Sequence, residues 1–508
     1  MPTSLLNIYH SLPPFGRNAA ASLHGYRLRA WRYGPETEAL VRQARDREHW
    51  EPRRWRAWQD RRLAALLERA VAKVPYYLEI WKEQKPVSDK AESGKRKAET
   101  GFNSQPSTLN YPAAHRAEGA WESLQNWPVL RKTVLRERPQ AFVANDPSRG
   151  QLHEEHTSGT SGTPLRLWHS RAVARQWYAL MEARWRGWYG ISREDRWAIL
   201  GGQLITPVAQ TRPPFWVWNT PLNQLYLSSY HLKPENVAAY LSALRSHRVV
   251  YLWGYASSLY SLARFAEDQR IEAPQLKVVV SNAELLYSHQ RKLIAQVFQC
   301  AVRDTYGMSE MVCAASECEA GRMHLWPEVG VYEVLRDEVD EPVPEGETGR
   351  LVCTGLLNDD MPLIRYEVGD RVAIAPPDTS CPCGRTLPIL LSVDGRNDDV
   401  IVTRDGRRVG RLDPVFKSDF PIREAQVLQE SMDLIRVKLV PGTGFNSAHE
   451  QELIAAMRER IGEVVVQIER VTSIPRSANG KFRAVISNVE RSKAVQVNEP
   501  NQDYVIHS

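Results

Sequence analysis

The sequence predicts an α/β protein, with a large domain built on a mixed β-sheet flanked by helices and a small C-terminal α+β domain. Short apolar runs at 197–200, 225–227, 249–252 and 277–280 alternate with helix-like stretches at 257–270 and 286–298, the rhythm of buried strands and the helices that cover them. All 16 tryptophans lie between Trp31 and Trp326, so the C-terminal remainder is built differently. From 393–395 onward the pattern becomes short strands at 399–403, 434–440 and 464–471 with one amphipathic helix at 449–461.

The elements follow in order. Residues 1–81 read as a helical region packed on the large domain, with Leu, Trp and Ala at helical spacing from Leu40 to Tyr77 and a stop near Pro75. Tryptophans filling one helix face while arginines solvate the other explains the Trp/Arg alternation there better than nucleic-acid stacking does. Residues 82–119, rich in charge, Ser and Pro, hold too few aliphatics to offset their ordering entropy and read as a disordered or exposed insertion. Residues 120–394 form the large core, and 395–508 the small domain with a terminal tail. No internal repeat is present.

At 508 residues the chain holds about three domains' worth of sequence. Its 43% hydrophobic and 25% charged content excludes collagen-like, mucin-like and wholly disordered classes. A formal net charge of +6 is too small to imply nucleic acid and suits a polyanionic small molecule equally well. No run approaches the roughly 18 apolar residues of a membrane span, so no integral membrane segment is expected. The N-terminus lacks the basic and apolar regions of a secretory signal, so the expected location is cytoplasmic. The six cysteines, at 300, 313, 318, 353, 381 and 383, are too few for a disulfide framework.

The strongest local signal is His156-Thr157-Ser158-Gly159-Thr160-Ser161-Gly162-Thr163-Pro164. Glycines let a backbone approach an anion, and successive N–H groups and hydroxyls can surround phosphate oxygens. It has neither the lysine of G-x-x-x-x-G-K-[ST] nor the spacing of a nucleophile elbow, and a flexible Ser/Gly turn is the alternative. Further pieces follow in order: Asp304-Thr305-Tyr306-Gly307-Met308-Ser309-Glu310, Ile364-Arg365-Tyr366-Glu367-Val368-Gly369-Asp370, Asp394-Gly395-Arg396-Asn397-Asp398-Asp399, and the 475–483 segment around Lys481.

This series resembles the adenylate-forming superfamily, which includes acyl-CoA ligases. Within it, VPYY at 74–77, WPVLRKTVLRE at 127–137, WGYASSL at 253–259 and SNAELL at 281–286 resemble the phenylacetate-CoA ligase family. The segments 395–409 and 423–430 resemble its capsule-biosynthesis branch. The resemblance implies adenylation of a carboxylic acid by ATP, releasing pyrophosphate, then transfer of the acyl group to a thiol, most simply coenzyme A. Ser158, Gly159, Thr160, Ser161, Gly162 and Thr163 would hold the departing phosphates. Tyr306 would stack on adenine, Glu310 would hold Mg²⁺, Asp370 would take both ribose hydroxyls and Arg396 would bind ribose or phosphate nearby. Glu284, Gly307 and Ser309 complete the implied nucleotide site. Lys481 would stabilise the pentacoordinate α-phosphate, and Asp398 would be the hinge of the small domain.

Each residue also admits an ordinary role: Asp398 capping a turn, Asp370 pairing with Arg371, Lys481 as a solvated lysine. Ser309 stands where threonine is commoner and Ala256 where proline often follows Gly-Tyr. Trp253, Tyr255 and Ala283 would line a pocket for an aromatic or bulky acid, or would simply be core.

Cys381-Pro-Cys383, with Cys318 and His324, offers three sulfurs and an imidazole for a tetrahedral structural Zn²⁺. Cys313 is the alternative to Cys318, and free buried cysteines are the alternative to metal. Three functions stand at this point: an acid–thiol ligase, an adenylating enzyme that passes its acyl group to an amine, hydroxyl or carrier-protein thiol in surface-polysaccharide or secondary-metabolite assembly, and a non-catalytic binding protein. Oligomeric state is not legible.

Overall fold

The computed structural model describes residues 3–83, 119–146, 152–156, 165–396, 401–404, 408–409, 421–475 and 482–489. Nearly all of the 82–119 segment therefore lies outside the described residues. Five helices open the chain: α1 (Thr3–Ser11), α2 (Pro14–Arg32), α3 (Thr37–Arg47), α4 (Pro52–Lys73) and α5 (Pro75–Glu83). Proline begins α2, α4 and α5, where its missing N–H has no intrahelical partner to lose. The first two helices precede the region in which the apolar spacing predicts helix. Short α6 (Ala120–Leu124) and α7 (Lys132–Glu137) follow, then the antiparallel pair β1 (His153–His156) and β2 (Arg166–His169).

The chain continues through α8 (Arg171–Leu180), capped by the Ser170 hydroxyl, which accepts from the Val173 N–H, into a π-helical turn at Met181–Arg186. The alternation legible in the sequence comes next: β3 (Trp197–Gly201), β4 (Trp216–Asn219), β5 (Gln224–Ser228), α9 (Val237–Ser246), β6 (Tyr251–Tyr255), α10 (Ala256–Asp268), β7 (Val278–Asn282), α11 (Ser288–Phe298) and β8 (Ala301–Gly307). An antiparallel region completes the sheet: β9 (Ala314–Glu317), β10 (Met323–Leu325), β11 (Gly330–Leu335), β12 (Gly349–Gly355), β13 (Tyr366–Ile374) and β14 (Ile389–Arg396).

These twelve strands lie in the order β11-β12-β13-β14-β10-β9-β8-β7-β6-β3-β5-β4. Strands β5, β3, β6, β7 and β8 are mutually parallel, and the rest of the sheet is antiparallel. Side-chain alternation explains why the parallel strands read as continuous apolar runs, since both faces are covered. Ala198, Leu200, Leu252 and Val279 pack under α9, α10 and α11 with Leu241, Leu259 and Ile294. Their neighbours Trp197, Tyr251, Val278 and Val280 pack on the opposite face with Val41, Val173 and Leu180. Helices α4 and α5 bring Leu63, Leu67, Ala70 and Tyr77 onto the antiparallel half, against Leu351, Leu363 and Tyr366.

Beyond β14 come β15 (Ile401–Val402), β16 (Arg408–Val409), β17 (Ile422–Gln429), β18 (Leu434–Pro441), α12 (Ser447–Ile461), β19 (Val465–Arg470) and β20 (Val485–Ser487). The last four strands make a separate sheet, β19-β18-β17-β20, on which Leu453, Met457 and Ile461 of α12 bury against Val437, Leu439 and Val466. The predicted class, a large mixed α/β region and a small α+β unit with its own core, is the observed one.

One buried ion pair joins three parts of the large region. Arg184, fully buried in the π-helical turn, donates to Glu328 Oε1 at 2.6 Å and to the Ala44 carbonyl at 3.1 Å. Burial pushes the Glu328 carboxyl up, and Arg184 holds it down. Removing one partner strands the other's charge, so Arg184→Met is expected to cost about 3–5 kcal/mol by urea unfolding. The double variant Arg184→Met/Glu328→Leu is expected to recover most of that loss, because apolar side chains of similar volume need no counter-charge.

Candidate active site

Among the described residues, Ala283, Glu284, Tyr306 and Glu310 lie at or just beyond the C-terminal ends of the parallel strands, where open α/β sheets bind ligands. In register, Tyr255 lies beside Asn282 and Asn282 beside Thr305, so Ala283, Glu284 and Tyr306 emerge together one or two residues further on. Gly254 permits the close packing of β6 on β3, since a Cβ there would lie 2.8 Å from the Leu200 carbonyl oxygen. Ala283 holds φ at 61°, unusual for a residue with a Cβ, and turns the chain so that Glu284 follows directly. The Glu284 carboxylate accepts from the Ser257 N–H at 2.9 Å and from the Phe482 N–H at 2.8 Å. The backbone immediately after Lys481 is thereby attached to this edge.

Tyr306, at the end of β8, donates its hydroxyl to Asp370 Oδ2 on β13 at 2.6 Å. Four strand spacings separate β8 from β13 in the sheet order, about 19 Å if the sheet were flat. The hydrogen bond therefore requires the sheet to curl over this edge. Burial, reinforced by the Asp370 charge, holds the Tyr306 phenol well above its ordinary value, so it remains a donor at neutral pH. Asp370 pairs in backbone register with Arg396 at the end of β14.

Glu310 sits in the turn after β8 and is buried. Its Oε1 accepts from the Tyr366 hydroxyl at 2.9 Å and from Lys132 Nζ at 3.3 Å. Glu155, at the end of β1 nearest the Ser/Gly segment, has its carboxyl raised by burial, opposed by Arg32 and reinforced by repulsion from Glu310. A buried carboxylate such as that of Glu310 is an oxygen ligand that suits a hard divalent cation. Sequence reasoning did not single out Lys132, Tyr366 or Glu155, although the first two stand inside segments it quoted.

Gly307 and Ser309 flank this turn. Trp253 packs its ring 5.2 Å from Trp185 and 5.8 Å from Trp197, within the core of one sheet face. Tyr255 lies closer to the edge, its phenol raised by burial and by the Glu284 charge. The segment 157–164, with Ser158 to Thr163, lies outside the described residues, as do Asp398, Lys481 and the Arg396 side chain.

Removing the Tyr306 hydroxyl while keeping its ring isolates the hydrogen bond to Asp370. Tyr306→Phe deletes a buried hydrogen bond to a charged acceptor, worth about 1.5–3 kcal/mol. We expect a matching loss of stability in urea.

A second cluster lies away from this edge. The potential ligand atoms of Cys318, His324, Cys381 and Cys383 are all within 4.8 Å of one another. The Cys318 and Cys381 sulfurs are 3.7 Å apart, near the roughly 3.8 Å of two thiolates bound about 2.3 Å from one tetrahedral zinc. His324 Nε2 is 3.3 Å from the Cys383 sulfur, and its Nδ1 lies 3.0 Å from the Leu387 carbonyl. Donation from Nδ1–H to that carbonyl would leave Nε2 as a lone-pair ligand. Cys313, the alternative fourth ligand, instead neighbours Cys353.

Comparison with known proteins agrees with this architecture. Over 89% of this chain and 93% of the other, the structure superposes on 2-hydroxyisobutyryl-CoA ligase in its postadenylation state with TM-score 0.64 at 21% identity. The fold is that of the adenylate-forming superfamily. Residues 401–488 match the CapK C-terminal domain, and Protein CapK of Staphylococcus aureus is 25% identical over 72% of this chain and 81% of its own length. A phenylacetate-coenzyme A ligase of Thermus thermophilus is 28% identical over 42% of this chain and 54% of its own. The chain thus has the fold of the adenylate-forming ligases, and its homologues include CapK and phenylacetate-CoA ligases. Among the described residues no helix is long and apolar enough to cross a membrane.

Proposed function

We propose that the protein is an AMP-forming acid–thiol ligase. In the first step a carboxylate oxygen attacks the α-phosphorus of ATP, the bond to the β-phosphate oxygen breaks, and pyrophosphate leaves. In the second, a thiol adds to the acyl carbonyl, AMP departs with the former carboxylate oxygen, and the thiol proton passes to solvent. The observation that carries this reading is the Tyr306–Asp370 pair beside the Glu310–Tyr366–Lys132 cluster at one sheet edge.

Tyr306 offers a ring to adenine, while Asp370, oriented by the Tyr306 hydroxyl, takes ribose hydroxyls with Arg396 nearby. Glu310 would hold Mg²⁺, which neutralises phosphate oxygens when bound. Ser158 to Thr163 would supply donors to the pyrophosphate. Glu284, bound to the Phe482 N–H, supports a role for Lys481 at the α-phosphate. Division of the chain near 394–395, with Asp398 as hinge, would let the small domain exchange that lysine for a thiol-binding surface between steps. The acid is aromatic or bulky, bounded by Tyr255 and Ala283, and the thiol is coenzyme A. The Cys318–His324–Cys381–Cys383 cluster would hold a structural Zn²⁺, and the protein would work in the cytoplasm.

The CapK matches favour a second reading, in which the acyl group passes to an amine, hydroxyl or carrier-protein thiol during surface-polysaccharide assembly. Acid-dependent ATP–pyrophosphate exchange across aryl and aliphatic carboxylates, comparing the parent with Lys481→Ala, tests adenylation. We expect exchange with one acid class and a loss of about 10²- to 10³-fold in the variant. Folded protein that exchanges with no acid and binds no ATP would sink both readings. Acceptor screening after adenylation separates them.

A further inference from the structure

Six of the ten exposed large hydrophobic side chains among the described residues gather in one region: Ile8, Phe15, Leu23 and Tyr26 on α1 and α2, and Leu204 and Val208 in the loop after β3. On α2 the exposed positions 15, 19, 23, 26 and 30 recur at helical spacing, so Phe15, Leu23 and Tyr26 form one outward stripe with Ala19 and Ala30. The opposite side of the helix is committed to β4. Asn18 Oδ1 accepts from the Trp218 N–H at 3.0 Å, and a Cβ on Gly25 would strike the Asn219 side chain. The loop is tied to the helices, since the Tyr9 hydroxyl donates to the Ile205 carbonyl at 3.1 Å and Arg17 donates to Gln210 at 3.0 Å.

The charge of these two segments is one-sided. Neither residues 1–35 nor residues 196–234 contain a single Asp or Glu, in a chain with 60 of them. Arg27 on α2 and Arg212 in the loop are exposed. An exposed apolar stripe bordered by cations, where Glu194 is engaged by Arg29 at 3.0 Å, is complementary to an anionic bilayer surface, where the apolar side chains enter the acyl boundary and the cations meet headgroups. A second copy of the chain fits poorly, because self-pairing would bring two sets of cations together and Glu194 is already engaged by Arg29.

We propose that the α1–α2 face and the 202–214 loop bind the surface of an anionic phospholipid bilayer. The inference does not depend on the ligase reading. Co-sedimentation of the full chain with phosphatidylglycerol/phosphatidylcholine vesicles tests it, with pure phosphatidylcholine vesicles as control. We expect binding to the anionic vesicles that falls at least tenfold without phosphatidylglycerol or at high salt. Phe15→Glu/Leu23→Glu should lose binding to the same extent with an unchanged unfolding midpoint, since both side chains are exposed, and Arg27→Glu/Arg212→Glu should weaken it several-fold with the apolar stripe intact. Parent protein left in the supernatant with anionic vesicles, or a Phe15/Leu23 variant that still pellets, overturns the proposal. A parent that is dimeric by light scattering, that the Phe15/Leu23 variant turns monomeric and that ignores vesicles, assigns the face to a second copy instead.

Discussion

Glu310→Gln is expected to slow acid-dependent ATP–pyrophosphate exchange by about 10²- to 10³-fold, the range of removing one preorganised charge-stabilising group. The substitution is nearly isosteric. Its amide oxygen can still accept from the Tyr366 hydroxyl and from Lys132, the two donors that hold Glu310 Oε1 at 2.9 and 3.3 Å. What it removes is the negative charge of a buried carboxylate. The unfolding midpoint should therefore move little, while the Mg²⁺ concentration needed for half-maximal exchange should rise. A variant that exchanges at the parent rate with unchanged Mg²⁺ dependence would remove Glu310 from the reaction and leave it as a structural acceptor.

Purified, unchelated protein is expected to contain about one zinc per chain, and the stability of the antiparallel half is expected to depend on it. The ion would join Cys318 beside β9, His324 on β10, and Cys381 and Cys383 in the connection to β14. A site holding metal a thousandfold above its Kd contributes about 4 kcal/mol of apparent stability. Prolonged chelation, or Cys383→Ser, should lower the unfolding midpoint by about 10 °C for a domain of this size. Metal analysis decides the matter, since a zinc content well below one per chain would mean that the four side chains are reduced, buried neighbours with no ion. Because the cluster is remote from Tyr306 and Glu310 in function, exchange by the surviving folded fraction should persist at low temperature.

Local pattern carried much of the architecture. The runs at 197–200, 249–252 and 277–280 are continuous because both faces of β3, β6 and β7 are covered, and the helix at 449–461 shows its period because only one face of α12 is buried. Helix α2, inside the region read as helical, shows no such apolar period for the opposite reason. Its outward stripe is apolar and its inward face is made of small and polar residues such as Gly25 and Asn18, so the usual contrast between faces is inverted.

The ordered motifs also placed Tyr306, Glu310, Asp370 and the four metal-type ligands in the chain, since residue types and their order are properties of sequence alone. Their partners were a different matter. That Tyr306 anchors Asp370, that Glu310 is held by Lys132 and Tyr366, and that Cys318 rather than Cys313 joins Cys381 are contacts between residues 56 to 178 positions apart. A period of two states which face of a strand a side chain occupies, and it is silent about which distant strand a curling sheet brings across from it. The Tyr306–Asp370 pairing exists because the twelve-stranded sheet bends β13 over the end of β8, a consequence of how the whole sheet packs.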